Sequence, residues 1–306
     1  MSDKIAVIGA GAWGLALASI YDATVFTRNS AHQANNSKFR LTTSLVDITD
    51  KEIIFLVTPA STVRNICQSL IGKIKAGTTL ILCSKGMERE GGELFSDAVQ
   101  SLLPNNQVAV LSGPNFAHEI SAGLPAISSI ACSSLARAMD LAKILSRPNF
   151  NLYPSDDMVG LQICGALKNV LAILSGIVIG YNLGENFRAA ILALGIKEIS
   201  QIIQAKNGKI ATILEPGGVG DIFLTCNSGQ SRNTSLGIKI AQSGKFTQDL
   251  VNANIEGVYT INALQVWLKE LELALPLLAL ASQIINDKVS VSKKMIEKLL
   301  IDYDKA

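Results

Sequence analysis

The sequence predicts an α/β fold: a doubly wound parallel-sheet domain at the N-terminus, followed by an all-helical C-terminal domain. Three observations carry this. Short runs rich in Ile and Val alternate with helical runs through the first half. Three glycines, Gly9, Gly11 and Gly14, follow the first apolar run directly. After Ser155 the strand-like runs stop and almost everything has helical texture. The boundary is expected near Pro154–Asp157, giving a sheet domain at 1–155 and a helical domain at 156–306.

Taken in order, "KIAVIGA" is an unbroken apolar run, as a strand covered on both faces should be. "GLALASIY" reads as a short helix, "ATVFT" as a second strand, and "EIIFLVTP" as a third that Pro59 stops. A helix follows at roughly 61–74, then the strand "TTLILCSKG", a helix at about 93–103 and the strand "QVAVLSGP". "AISSIACSS", "LARAMDLAKILS" and "FNLYPS" complete the domain as strand, helix and strand. Beyond them, helices are expected at 157–180, 186–206, 234–243, 256–270 and 276–301.

Composition narrows the class. Of 306 residues, 48% are apolar and 17% charged, enough for sizeable cores. The net charge of +2, from 27 basic and 25 acidic residues, argues against a non-specific nucleic-acid or membrane-surface binder. Five dispersed cysteines and two histidines, none at ligand spacing, leave no metal site in prospect and fit a reducing cytoplasm. The N-terminus enters a strand at once, with no signal-peptide pattern. Leu161 to Gly180 is apolar enough to test as a membrane span. Lys168 in its middle would cost on the order of 3 kcal/mol there, and Gln162, Asn169 and Ser175 add to the penalty. A helix buried between protein layers explains the stretch better.

The glycines spell G-A-G-A-W-G between a strand and a helix, the context in which GxGxxG signals a Rossmann-type dinucleotide site. Gly9 makes the tight turn, Gly11 lets the backbone approach a pyrophosphate, and Gly14 lets the helix pack on the sheet. The second strand ends in "FTRNS", with Arg28 where an NAD-specific site usually carries an acid. A guanidinium suits a 2′-phosphate, so the cofactor is expected to be NADPH or NADH, with an NADP preference consistent with Arg28. The bland alternative is an ordinary exposed arginine.

The blocks "GAGAWG", "TPAS", "SKGME", "SGPNFAHE", "GALKNV", "GDIFLTC", "SRNTS" and "IEGVYT" resemble, in order and spacing, bacterial NAD(P)-dependent glycerol-3-phosphate dehydrogenase. That resemblance implies hydride transfer between NAD(P)H and dihydroxyacetone phosphate, giving sn-glycerol 3-phosphate for phospholipid synthesis. It implies that Lys168 is the catalytic acid/base and that Lys85 reaches both substrate and cofactor. Gly113 and Asn115 match substrate positions, although the family often has Ser or Thr where Asn115 stands. Asp221 matches a substrate contact that can also hold Lys168, with Thr225 adding a hydroxyl. Ser231, Arg232 and Asn233 match the phosphate clamp, Arg232 also touching the cofactor. Ala12, Trp13, Ala117, Asn254 and Glu256 match cofactor positions; Ala12 replaces a common Ser and offers only its backbone N–H. Without the rest of the set, "SRN" would read as a helix cap beside a surface arginine.

The chain is short between Gly14 and "ATVFT", and "NSAHQANNSKFRLTTSLVD" is abbreviated against the family, so a truncated first helix and weaker adenosine contacts are expected. Two competing readings stand beside the dehydrogenase: a related enzyme for a hydroxyacid or sugar phosphate, and a non-catalytic dinucleotide sensor. The apolar "LELALPLLALASQII" fits a homodimer interface or a helix buried in the monomer equally well.

Overall fold

The computed structural model describes residues 2–29, 39–88, 91–229, 231–251, 255–301 and 303. The chain forms two compact units, one of residues 1–85 and 94–158, the other of 86–93 and 159–306. The sequence marked a single division at 155/156; the crossing of 86–93 into the second unit has no local signal. Its tie is tertiary: Trp267, fully buried, donates its indole N–H to the Gly92 carbonyl at 3.0 Å.

In the first unit, strands β1 (Ile5–Ile8), β2 (Thr24–Phe26), β3 (Leu41–Thr42), β4 (Ile53–Leu56), β5 (Thr79–Leu82), β6 (Gln107–Ser112), β7 (Ala126–Ala131) and β8 (Phe150–Ser155) form one sheet. Their order is β3-β2-β1-β4-β5-β6-β7-β8. The first six strands in this order pair in parallel, with Val7 opposite Phe55 and Leu56 opposite Leu82. Every residue of β1, β4 and β5 is buried. With both faces covered there is no polar face to alternate with, which is why these strands read as continuous apolar runs.

The sheet departs from all-parallel at β7, which lies antiparallel to β6 and carries β8 parallel to itself. The chain turns back after Ser112 through a connection holding only a short helix, α4 below. The two-residue β3 lies in the abbreviated stretch and has no propensity run of its own. Helix α1 (Ala12–Tyr21) has ten residues and stops at Asp22, which adopts a left-handed φ of 49°. The other helices of this unit are α2 (Val63–Leu70), α3 (Phe95–Leu102), α4 (Ala117–Ser121) and α5 (Leu135–Leu145).

The second unit is helical: α6 (Met158–Gly180), α7 (Glu185–Ala205), α8 (Asp221–Asn227), α9 (Arg232–Ser243), α10 (Glu256–Glu270), α11 (Pro276–Asn286) and α12 (Lys293–Ile301). Helix α6 is apolar all round because every residue from Gly160 to Val178 is buried. Among the described residues it is the one helix long and apolar enough to cross a membrane, and 89% of its most apolar window is buried. It meets α9 almost backbone to backbone. A Cβ on Gly176 would fall 2.1 Å from the Thr234 carbonyl, and one on Gly237 would fall 2.0 Å from that of Ile173.

Two features differ from the expected helices. The span 276–301 is broken between α11 and α12, where Lys288 takes a φ of 53°. Val291 there donates to the Gly244 carbonyl at 2.7 Å and accepts from the Tyr181 hydroxyl at 2.6 Å. These tertiary bonds replace the helical ones. Helix α8 was not foreseen; it follows a wide turn, Pro216–Gly220, with Gly218 at φ −92°, ψ −108°. Within and just before α11, Leu275, Leu277, Leu278, Leu280, Ala281, Ile284 and Ile285 are buried, while Leu271 and Leu273 are half-buried.

Candidate active site

In the first unit the predicted residues gather where parallel strands end. Gly9 follows β1, Arg28 follows β2, Lys85 follows β5, and Gly113 with Asn115 follows β6. The carboxyl edge is where open α/β sheets bind their ligands. Gly9 has a φ of 121°, and a Cβ there would lie 2.3 Å from the Val57 carbonyl oxygen. A Cβ on Gly14 would lie 1.9 Å from the Gly9 oxygen, whereas nothing stands within 4 Å of the same point on Gly11. Two glycines are therefore forced by the protein's own backbone, and the third faces open space. No side chain caps α1, whose start faces that space with Ala12 exposed and Trp13 half-buried. Trp13 instead packs edge-on against Phe150 at 6.2 Å.

A cavity of about 340 Å³ opens beside this turn, lined by Gly9, Gly11, Thr27, Arg28, Asn29 and Thr58 among others. Arg28 is exposed at its rim. Thr58 was not foreseen as a site residue: its hydroxyl is buried with no partner among the described residues. Its signal was the "TPAS" block at the end of β4. Lys85 is half-buried, as is Ala117 at the start of α4. Gly113 is buried against β7, and Asn115 donates its amide to Ser128 at 2.7 Å. Cys83, two residues before Lys85, is fully buried in effect; burial pushes its thiol well up, and the Lys85 charge draws it only partly back.

In the second unit the site hangs on Lys168, in the middle of α6. Its ammonium lies 2.5 Å from Asp221 Oδ1 and 2.7 Å from Thr225 Oγ1, both on α8. The lysine side chain is 8% exposed and the aspartate 2%, so this is a charge pair kept nearly dry. Asp221 and Thr225 are one helical turn apart, which aims both at the same point. Burying such a pair is costly, and removing one member strands the other. The next residue, Asn169, starts a second network. Asn233 donates its amide to Asn169 Oδ1 at 2.9 Å and accepts from the Gly257 N–H at 3.0 Å. Asn169 in turn donates to Glu256 Oε2 at 3.4 Å. Helices α6, α9 and α10 are thus tied together by amides directly beside the lysine.

Ser231 and Asn233 therefore have structural duties. Ser231 is the cap of α9, its hydroxyl accepting the Thr234 N–H at 3.2 Å. Arg232 is exposed at the same helix start. Cys226 sits against the Lys168 carbonyl at 3.8 Å. Burial pushes its thiol up to about 12, the Asp221 charge adding to this and Lys168 opposing it. It stays protonated and offers no nucleophile near the lysine. Asn254 lies outside the described residues. Asn169 and Ser128 were not foreseen, since an amide or hydroxyl in an apolar run carries no sign of its distant partner.

A backbone turn shaped for a pyrophosphate, and an ammonium held dry among helices, are the parts that hydride transfer requires. They place the chain among the two-domain, dinucleotide-dependent dehydrogenases. Comparison with known proteins narrows the class. Residues 157–296 match the family described as NAD-dependent glycerol-3-phosphate dehydrogenase C-terminus, and residues 32–138 match its N-terminus. The chain is 36% identical to glycerol-3-phosphate dehydrogenase [NAD(P)+] of Gluconobacter oxydans, over 97% of this chain and 96% of that one. It is 34% identical to the Rhizobium johnstonii protein of the same name, over 98% of each. The crystal structure of glycerol-3-phosphate dehydrogenase from Coxiella burnetii superposes with a TM-score of 0.88 at 27% identity, covering 99% of this chain and 98% of that one. The chain belongs to the NAD(P)-dependent glycerol-3-phosphate dehydrogenase family.

Proposed function

We propose that the chain reduces dihydroxyacetone phosphate reversibly to sn-glycerol 3-phosphate, with Lys168 as the acid/base. The observation that carries this is the buried ammonium held between Asp221 and Thr225. The first unit fits the nicotinamide dinucleotide: the Gly9–Gly11 turn and the start of α1 would hold its pyrophosphate, and Arg28 and the Thr58 hydroxyl would meet its adenosine side. When bound, that cofactor supplies or takes up the hydride.

The chain's own residues do the rest. Lys168 Nζ holds the proton that the C2 oxygen acquires on reduction, and takes it back on oxidation. Asp221 and Thr225 fix the direction of the ammonium, so no reorganisation is needed when charge develops. In the second unit Arg232 and the start of α9 offer positive charge and N–H groups suited to a phosphate dianion; in the first unit Lys85 offers an ammonium. In the first unit Gly113 and Asn115 are assigned to substrate and Ala12, Trp13 and Ala117 to the cofactor; in the second unit Glu256 is assigned to the cofactor. The cytoplasm, and supply of glycerol 3-phosphate for phospholipid synthesis, are the setting this reading implies.

The test is NADPH and NADH oxidation by the purified protein with dihydroxyacetone phosphate, set against 3-hydroxy acids in the reverse direction. Turnover of dihydroxyacetone phosphate that Lys168→Ala abolishes is the expected result. Parental rates in that variant would overturn the assignment of Lys168. Cofactor binding without turnover of any substrate would leave the dinucleotide sensor.

A further inference from the structure

Helix α8 brings Asp221 and Thr225 to Lys168, so whatever holds α8 also holds the lysine's partners. The helix has only seven residues, too few to be stable by its own bonds. Its strongest printed ties run through the lysine itself, whose ammonium donates to Asp221 and Thr225. Two others do not. Ser175 of α6 donates its hydroxyl to the Cys226 carbonyl at 3.1 Å, and Thr234 of α9 donates to the Thr225 carbonyl at 3.2 Å. Both carbonyls lie in the last turn of α8, where a helix has no partners of its own to offer them. A carbonyl oxygen only accepts, so the direction of both bonds is fixed. Ser175 is fully buried and Thr234 is 3% exposed. A serine inside a helix can turn its hydroxyl onto its own preceding turn. Ser175 spans to α8 instead, seven residues beyond the lysine on the same helix.

We infer that Ser175 and Thr234 are positioning residues that hold Asp221 and Thr225 against Lys168 while the lysine is without its proton. This rests on the function proposed above. In reduction the Nζ–H bond breaks, the proton passes to the C2 oxygen, and Lys168 is left as a neutral amine. The ion pair with Asp221 is lost at that moment, and a buried carboxylate without its partner is costly. Bonds from neutral hydroxyls to backbone carbonyls do not depend on the lysine's charge. They keep α8 in place until a proton from solvent restores the ammonium. An opposite charge held at close range favours the protonated form of an amine, so a fixed Asp221 readies the lysine for the next turnover.

The experiment measures kcat for dihydroxyacetone phosphate reduction against pH in the parent, Ser175→Ala, Thr234→Val and Thr234→Ser, with the NADPH dissociation constant and melting temperature of each. Ser175→Ala and Thr234→Val should each lower kcat about three- to tenfold, the worth of one hydrogen bond. The alkaline limb of the kcat profile should move about half a unit to one unit lower, because a looser Asp221 holds the ammonium less well. NADPH binding should stay at the parental value, and Thr234→Ser, which keeps the hydroxyl, should restore both kcat and the limb. Other titratable groups around the pocket are the same in every variant: Cys226 of α8, Arg188 of α7 whose charge acts on that thiol, Arg232 of α9, and Glu256 of α10 bonded to Asn169. Ser175→Cys, of similar size but a weak donor, takes the place of Ser175→Ala should that chain not fold. Variants that lose only melting temperature, with kcat and limb parental, overturn the inference. So does a loss that falls on NADPH binding, or one that Thr234→Ser shares in full. A parent inactive on dihydroxyacetone phosphate removes the proposed function and this inference together, whereas an active parent with parental variants removes the inference alone.

Discussion

The glycine turn of the first unit and the lysine pocket of the second are made of different materials. The turn is backbone: Gly9 and Gly14 are dictated by carbonyls 2.3 Å and 1.9 Å from any added Cβ. No side chain in it performs chemistry. The lysine pocket is side chain throughout, with Lys168 more than fifty residues from the Asp221 and Thr225 it meets. A backbone site tolerates change in its neighbours but not in its glycines. A side-chain site fails when any buried partner is lost, because the remaining charge or dipole has no water to turn to.

That contrast can be broken most directly at Lys168. Lys168→Met should lower kcat by about two to four orders of magnitude, the usual worth of a positioned acid/base. It should leave the dissociation constant for NADPH intact, as measured by fluorescence titration. A weakened cofactor with an unchanged kcat would reverse the roles assigned to the two regions.

A control for the second unit comes from Glu198 on α7, which is fully buried and accepts the N–H groups of Leu277 and Leu278 at 2.8 and 2.9 Å. Burial raises its carboxyl to about 7, against the opposing pull of those two N–H groups and the Tyr303 hydroxyl. Its folded pKa lies above the unfolded value near 4.5. The folded chain therefore holds a proton that the unfolded chain has released between those two pH values. Stability from this group should be full below pH 4.5, decline as pH rises to 7, and level off above, by at most roughly 3 kcal/mol. Melting temperatures at pH 5 and pH 7.5 measure it. Glu198→Gln should flatten that slope without removing activity, which separates a structural buried charge from the catalytic one.

Gly9→Ala tests the backbone side of the comparison. A left-handed φ and a blocked Cβ together should cost about 1–3 kcal/mol. The loss should appear as a raised KM for NADPH, with the substrate KM at saturating cofactor little changed. Ser231→Ala is the mildest case. Losing the cap of α9 should cost about 1 kcal/mol in thermal or urea unfolding, and Ser231→Asp should restore it. If Ser231→Ala instead raises the substrate KM with stability intact, the serine belongs to the phosphate clamp more than to the helix.

These two regions were also unequally visible beforehand. The strand-glycine-helix pattern at residues 5–21 announces the turn, because its constraints are local in the chain. The "GALKN" block drew attention to Lys168, since an ammonium in an apolar helix needs a reason. Asn233 was read for its ligand, yet its amide is engaged by Asn169 and Gly257. Asn169 and Ser128 carried no local signal of their neighbours. The break after α11 was missed for the same reason: bonds from Val291 to Gly244 and Tyr181 outweigh a helical propensity worth only roughly tenths of a kcal/mol per residue.

By itself the sequence determined seven of the eight strands, most of the helices, the dinucleotide turn and the lysine around which the chemistry is proposed. Each of these depends on residues close together in the chain, where steric and periodic rules act directly. Only the tertiary structure decided that β7 runs against β6, that residues 86–93 join the helical unit, and that Asp221 and Ser128 face Lys168 and Asn115 respectively. Those outcomes are set by which distant surfaces can be buried together with every polar group satisfied, and no local stretch contains that information.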